Sequence, residues 1–292
     1  MTGDNKDKVK AIIKQSLNEL IEKISSDFKE NYKRKVNNWT LGDFDSILVA
    51  HMVFVSSFES KSGNMFQRIA KEIAKIKYGE ENVPLLIGGV GIDDSEFEKL
   101  KKAYKGDNQI IKTKIDQSAC RRFITNFRET HKAAGRGKSR LQPTITQEAI
   151  KEINKENFKR ADNITEKPVD LAIFNPKDSH YYIMEIKAGG DLDSSNAPAN
   201  VDKMLIEYAL IGKNNVKLYF ATLYNKNGEG NKWTGYIKKY LSEETMLIGK
   251  KFWEVVLPED ISFEELKEIY NEVSKELKVS EIINKMISEV NS

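Results

Sequence analysis

Pro168-Val169-Asp170-Leu171-Ala172-Ile173-Phe174, followed by Tyr181-Tyr182-Ile183-Met184-Glu185-Ile186-Lys187, decides how this chain is read. Two apolar runs of strand length flank Asn175-Pro176-Lys177-Asp178-Ser179-His180, a turn-rich connection, so the pair predicts a β-hairpin. Each run carries charge where a buried strand ordinarily carries none. Side chains alternate faces along a strand, which puts Asp170, Ala172 and Phe174 on one side of the first run. On the second, Ile183, Glu185 and Lys187 share a face while Met184 and Ile186 take the other. Paired, the runs gather two carboxylates and an ammonium at the end of a small sheet. That pattern predicts a metal site with a catalytic cation beside it.

A hard divalent ion such as Mg²⁺ takes oxygen ligands, usually one or two carboxylates completed by waters and substrate phosphate. Asp170 and Glu185 supply the carboxylates here, and the Ile186 main-chain carbonyl is placed to add a third oxygen. Such an ion lowers the pKa of a bound water and neutralises charge on a phosphate oxygen. Lys187 can hold or help deprotonate the attacking water and add positive charge in the transition state. The competing reading makes Asp170 and Glu185 solvent-facing strand residues paired with Lys187. Their setting inside apolar, strand-like runs weighs against it.

After Lys187 comes Ala188-Gly189-Gly190-Asp191-Leu192-Asp193-Ser194-Ser195-Asn196-Ala197-Pro198-Ala199-Asn200. With Asp170 and Glu185-Ile186-Lys187, the strand pair resembles the core of the PD-(D/E)XK nuclease superfamily. The run from Glu185 to Asn200 is similar to the TdeIII/MjaII-like type II restriction endonucleases. One departure stands out: Val169 intervenes between Pro168 and Asp170, where the superfamily pattern has proline and acid in succession. The proline does no chemistry, so the catalytic set is unaffected. The core resemblance spans about residues 168–224.

The resemblance implies an α/β fold with a mixed central sheet flanked by helices, carrying helical N- and C-terminal additions. It implies a Mg²⁺-dependent endonuclease that cuts double-stranded DNA and leaves 5′ phosphates, acting on a short G·C-rich palindrome of the GGNCC kind. An acidic residue from a helix before the core often approaches the metal in such nucleases, which makes Glu59 a candidate ligand; the alternative is that Glu59 merely caps or solvates a turn. A palindromic site has two-fold symmetry, so the expected assembly is a homodimer with one subunit per strand. No ATP or dinucleotide motif accompanies these features: Pro84-Leu85-Leu86-Ile87-Gly88-Gly89-Val90-Gly91 has the wrong spacing for either. Two alternatives stay open at this level: a structure-specific repair or junction nuclease, and a non-catalytic DNA-binding protein with a degenerate nuclease fold. The intact trio of Asp170, Glu185 and Lys187 speaks against the second.

The remaining sequence sets bounds. With 292 residues, 39% apolar and 31% charged, the chain reads as a globular protein able to bury a sizeable core. No apolar run reaches bilayer length and the first residues are polar, so a cytoplasmic protein without a membrane segment is expected. The lone Cys120 excludes an internal disulfide and reads as a buried thiol. His51, on an apolar helical stretch, reads as a core histidine. Net charge is +3, but the stretch from Arg121 to Arg140 is distinctly basic. Within it Arg136, Lys138 and Arg140 form a glycine-containing loop suited to phosphate contact. Asn196 and Asn200 are candidates for hydrogen bonds to bases or backbone, although Asn200 equally suits a helix cap.

Helical periods run from Lys8 to Phe28 and through Phe44, Ile47, Leu48, His51, Met52 and Val55, with an interruption at Ser60-Lys61-Ser62-Gly63-Asn64. Val201, Met204, Leu205, Tyr208 and Ile211 form the inner face of another helix, and residues 216–224 a strand. Lys251 to Leu257 reads as a further strand, and Ser262-Phe263-Glu264-Glu265 as a capping box opening a helix. The expected organisation is a helical N-terminal region over 1–160 packed on a catalytic core over 161–292.

Overall fold

In the computed structural model, which describes residues 2–41, 43–86, 110–111, 117–135, 141–156, 158, 169–189 and 192–289, the chain opens with two long helices. These are α1 (Thr2–Val36) and α2 (Ser46–Tyr78). Two-residue strands β1 (Leu85–Leu86) and β2 (Ile110–Ile111) pair in parallel, before α3 (Gln117–His131) and the short α4 (Gln147–Ile150). Next come β3 (Leu171–Asn175), β4 (His180–Lys187), α5 (Asn196–Ile211), β5 (Val216–Thr222) and β6 (Met246–Ile248). Three helices follow: α6 (Lys250–Val256), α7 (Phe263–Glu276) and α8 (Val279–Glu289). The chain divides into two compact units, Met1–Ile73 with Leu257–Ser292, and Ala74–Val256. None of the described helices is long and apolar enough to cross a membrane.

In the first unit, α1 buries Val9, Ile13, Leu17, Leu20, Ile21, Ile24 and Phe28, one stripe at helical spacing. Ion pairs tie α1 to α7: Lys6 to Glu265 at 2.5 Å, Lys10 to Glu272 at 2.7 Å and Lys14 to Glu276 at 3.1 Å. Ser262 and Glu265 form the expected capping box at the start of α7. Asp45 caps α2, accepting from the Ile47 N–H at 2.9 Å.

Two expectations for α2 fail. The helix runs unbroken through Ser60–Asn64, because Met65, Ile69, Ala70 and Ile73 keep burying one face beyond the glycine. A glycine in a helix interior costs only about 1 kcal/mol, which that burial outweighs. The face toward the core is Val49, Ala50 and Val53, not the stripe through Phe44, Ile47, Leu48, His51 and Val55, all of which are exposed. His51 is therefore a surface histidine.

In the second unit a four-stranded mixed sheet has the order β3-β4-β5-β6. β3 and β4 form the antiparallel hairpin, with Leu171 opposite Met184 and Asn175 opposite His180. β4 and β5 are parallel, Tyr181 beside Val216 through Lys187 beside Thr222, so a crossover is needed and α5 supplies it. Tyr181 and Ile183 alternate onto the face covered by Val201, Met204, Leu205 and Tyr208 of α5, and Cys120, Ile124 and Phe127 of α3 join this core. Cys120 is the expected buried thiol.

The segment from Lys251 to Leu257 is a helix over most of its length, not a strand. Its Phe252, Trp253 and Val256 look β-forming by composition, yet they fall on one helical face and are buried. Gly249, at φ 53°, turns the chain out of β6, and the Trp253 indole N–H donates to the Leu223 carbonyl at 2.8 Å. The edge position belongs instead to β6, which pairs Phe220 with Met246.

Candidate active site

Asp170 immediately precedes β3, and its Oδ2 accepts a hydrogen bond from the Ile186 N–H at 2.8 Å. The aspartate thus extends the β3 side of β4 past the Leu171–Met184 pair, while Ala221 of β5 stands beside Ile186 on the other side. The N–H and C=O of one strand residue point to the same side, so the Ile186 carbonyl also faces the Asp170 edge. Glu185 follows Tyr181 and Ile183 onto the α5 face and is 1% exposed. Each of its oxygens meets an ammonium: Lys187 Nζ lies 2.7 Å from Oε1, and Lys203 Nζ lies 2.5 Å from Oε2. Lys203 also stands 3.7 Å from Asp170 Oδ1 and 3.5 Å from Glu207 Oε1. Asp170, Glu185 and Glu207 are thereby linked to Lys187 and Lys203 in one charged network at the sheet end.

Burial fixes the electrostatics. Desolvation, followed by the repulsion of Glu185, raises the Asp170 carboxyl to about 6. Desolvation alone would lower the Lys203 ammonium, but Glu207, Glu185 and Asp170 outweigh it and hold it above the ordinary lysine range. Glu207 is pushed well above the usual carboxylate range, chiefly by desolvation and against the pull of Lys203. Lys187 remains partly open to solvent, with 32% of its side chain exposed.

Among the described residues no three Asp, Glu, His or Cys side chains converge as a group that could hold a metal. Asp170 and Glu185 flank the Lys203 ammonium, with Glu207 behind it on the same helix. Mg²⁺ is commonly bound in proteins by one or two carboxylates, with water and substrate phosphate completing the octahedron. The donor set of Asp170, Glu185 and the Ile186 carbonyl fits that chemistry, with Lys203 standing where a positive charge is wanted.

The other candidates are placed less simply. Glu59 is an exposed residue inside α2, so it neither caps nor solvates a turn. Arg136, Lys138 and Arg140 lie outside the described residues, as does Asp191. Within the basic stretch, Arg128 is buried and committed: its Nε donates to Asp202 Oδ1 at 2.6 Å and its guanidinium lies over the Tyr240 ring. Asn196 opens α5 and Asn200 sits one turn inside it, donating to the Asn196 carbonyl at 2.8 Å. The capping role expected of Asn200 falls to Asp193, which accepts from the Ser195 and Asn196 N–H groups at 2.9 and 2.7 Å. At Gly189 the backbone approaches the Tyr224 ring closely enough that a Cβ would make the ring shift.

Lys203 and Glu207 are the residues that the sequence reading passed over. A signal existed. They form an i,i+4 charged pair in a helix whose other positions, Met204 to Ile211, are apolar almost all round, and charge in such a helix is buried charge.

The family described as type II restriction endonuclease, HinfI, matches the chain over residues 1–274. The restriction-endonuclease expectation agrees with it, and so does the α/β architecture with its mixed sheet and flanking helices. The narrower TdeIII/MjaII-like resemblance is not the family matched. No curated protein and no solved structure matches.

Proposed function

The chain belongs to the HinfI family of type II restriction endonucleases, and from that premise we propose that Asp170, Glu185 and Lys187 form its catalytic centre. DNA is the partner that this family implies. The observation carrying the assignment is the Lys203 ammonium held between Asp170 and Glu185 at the end of β4, with Lys187 alongside. Asp170, Glu185 and the Ile186 carbonyl would hold Mg²⁺, which when bound supplies charge neutralisation at the phosphate and a more acidic water. Lys187 donates a hydrogen bond to the attacking water or to a non-bridging phosphate oxygen, stabilising negative charge as it develops. Glu185 orients Lys187 through their 2.7 Å contact. Water oxygen bonds to phosphorus, the bond to the 3′ oxygen breaks, and the products are a 3′ hydroxyl and a 5′ phosphate.

Arg136, Lys138 and Arg140 contact DNA phosphates in this scheme, and the start of α5, with Asn196 and Asn200, reaches DNA beside the site. Glu59 enters as a further metal ligand only through the superfamily resemblance. A GGNCC-like target is implied by the TdeIII/MjaII-like resemblance alone. Cutting both strands at a two-fold site calls for a homodimer, and the uncovered apolar stripe of α2 offers a surface for it.

Asp170→Asn and Glu185→Gln should each lower cleavage of phage DNA at least about 10³-fold, a loss of the size seen when transition-state charge stabilisation is removed. DNA affinity, measured in EDTA so that no divalent ion contributes, should be no weaker than that of the unaltered protein. Cleavage that persists in either variant, or in EDTA, would refute the assignment.

A further inference from the structure

Lys203 is placed unusually for a lysine. Its ammonium touches Glu185 Oε2 at 2.5 Å, Asp170 Oδ1 at 3.7 Å and Glu207 Oε1 at 3.5 Å, so it occupies the space between the two carboxylates assigned to metal binding. An ammonium and a divalent ion cannot share that space, because like charges a few ångströms apart repel strongly in a poorly hydrated site. If a divalent ion binds there, Lys203 has to leave.

The structure also contains a place for it to go. Glu207 lies one helical turn further along α5, 2% exposed, and neither of its oxygens has a hydrogen-bond partner. Buried polar atoms without partners are costly and rare. Lys203 faces Glu207 within ion-pair range without hydrogen-bond geometry. Because i and i+4 side chains share a helix face, a rotation about the Lys203 side-chain bonds brings the ammonium onto Glu207 with no movement of the backbone.

We propose that Lys203 is a resident cation that holds Asp170 and Glu185 together in the metal-free protein, and that Glu207 receives its ammonium when a divalent ion takes its place. The inference rests on the reading of Asp170 and Glu185 as metal ligands. Both Lys203 and Glu207 are positioning residues: neither acts on the phosphodiester. Metal loading is then an exchange of one cation for another, weaker than two buried carboxylates would otherwise give. The centre stays metal-poor until a DNA phosphate completes the ligand set.

The exchange predicts effects of opposite sign from two neighbouring residues, which a merely structural role would not produce. Mn²⁺ binding to the full chain without DNA, followed by electron paramagnetic resonance, reads them directly. Lys203→Gln should bind Mn²⁺ about tenfold tighter, equivalent to about 1.4 kcal/mol. The same variant should melt at a lower temperature in EDTA, because Asp170 and Glu185 then face each other with Lys187 alone to offset them. Glu207→Gln should bind Mn²⁺ several-fold more weakly, and this effect should vanish in the Lys203→Gln, Glu207→Gln double variant, where there is no ammonium to receive. Lys203→Met, which keeps the aliphatic stem, makes the same comparison should Lys203→Gln fail to fold. Mn²⁺ affinity unchanged or weakened on removing Lys203, or a Glu207→Gln effect that persists without Lys203, overturns the proposal. Asp170→Asn separates the two readings: Mn²⁺ binding that survives it rejects the metal-ligand assignment itself.

Discussion

Asp170 is a carboxyl whose surroundings in the fold oppose its charge. Its pKa in the metal-free fold is about 6, above the 3.8 of an ordinary aspartate, because burial and Glu185 disfavour its charge. A carboxyl raised on folding contributes stability that is fully present below pH 3.8 and lost as pH rises through 6. Asp170→Asn keeps an oxygen to accept from the Ile186 N–H but removes the charge. In EDTA at pH 8 it should therefore be more stable than the unaltered protein by roughly 1–3 kcal/mol, since each tenfold change in proton affinity is worth about 1.4 kcal/mol. At pH 4 the difference should nearly vanish. Urea unfolding at both pH values measures this, and a variant less stable at pH 8 would show that the carboxylate is not disfavoured by its surroundings. That Asp170, Glu185 and Lys187 gather at one end of the sheet was legible in the sequence, because charge inside apolar strand runs is conspicuous. Lys203 and Glu207 were not: on a helix, charged residues are ordinary until the opposite faces are also seen to be covered, and that depends on tertiary packing.

At the scale of elements, the signals that could be read were the ones written in adjacent residues. The Ser262–Glu265 box is one, and the structure has both of its reciprocal hydrogen bonds. Hydrogen bonds from Lys6 and then from Ser262 hold Glu265 down to about 2. A carboxylate depressed from 4.5 contributes stability that is present above pH 4.5 and lost as pH falls toward 2. Ser262→Ala should cost about 1 kcal/mol in urea unfolding at pH 7, the usual loss for a helix cap. The Glu265 midpoint, followed by carbon NMR, should also move upward in that variant; a midpoint that does not move would mean that Lys6 and the residue 262 N–H set it without the hydroxyl. Elements that depend on distant partners were harder to read. Lys251–Leu257 has strand composition, but a strand there would leave the Trp253 indole without the Leu223 carbonyl that it meets as a helix. Gly63 resembled a break because its cost is local, whereas the burial that overrides it comes from residues on either side. The start of α5 was set by Asp193, whose carboxylate gathers two N–H groups before the apolar face begins.

For the whole molecule, Ile47, Leu48 and Val55 of α2 are each about half exposed, and Trp39 is 89% exposed. If a second copy covers these residues, Ile47→Asp with Leu48→Asp should turn a dimer into a monomer in sedimentation velocity and convert double-strand cutting into nicking. A dimer that persists would place the interface elsewhere. The sheet and its α5 crossover were foreseeable from strand order, while the grouping of both flanking segments into one unit was not, since nothing in either segment names the other. That grouping has a consequence during synthesis. Lys6 and Glu265 stand 259 positions apart yet pair directly, and only Ala74–Val256 is a continuous stretch. At about 5–20 residues per second, α1 leaves the ribosome roughly 13–50 s before α7 exists to clasp it. For that interval α1 has α2 against it, through Lys61 with Asp27 and Arg68 with Glu19, but lacks its last partner, so the unit closes only once α7 has been made.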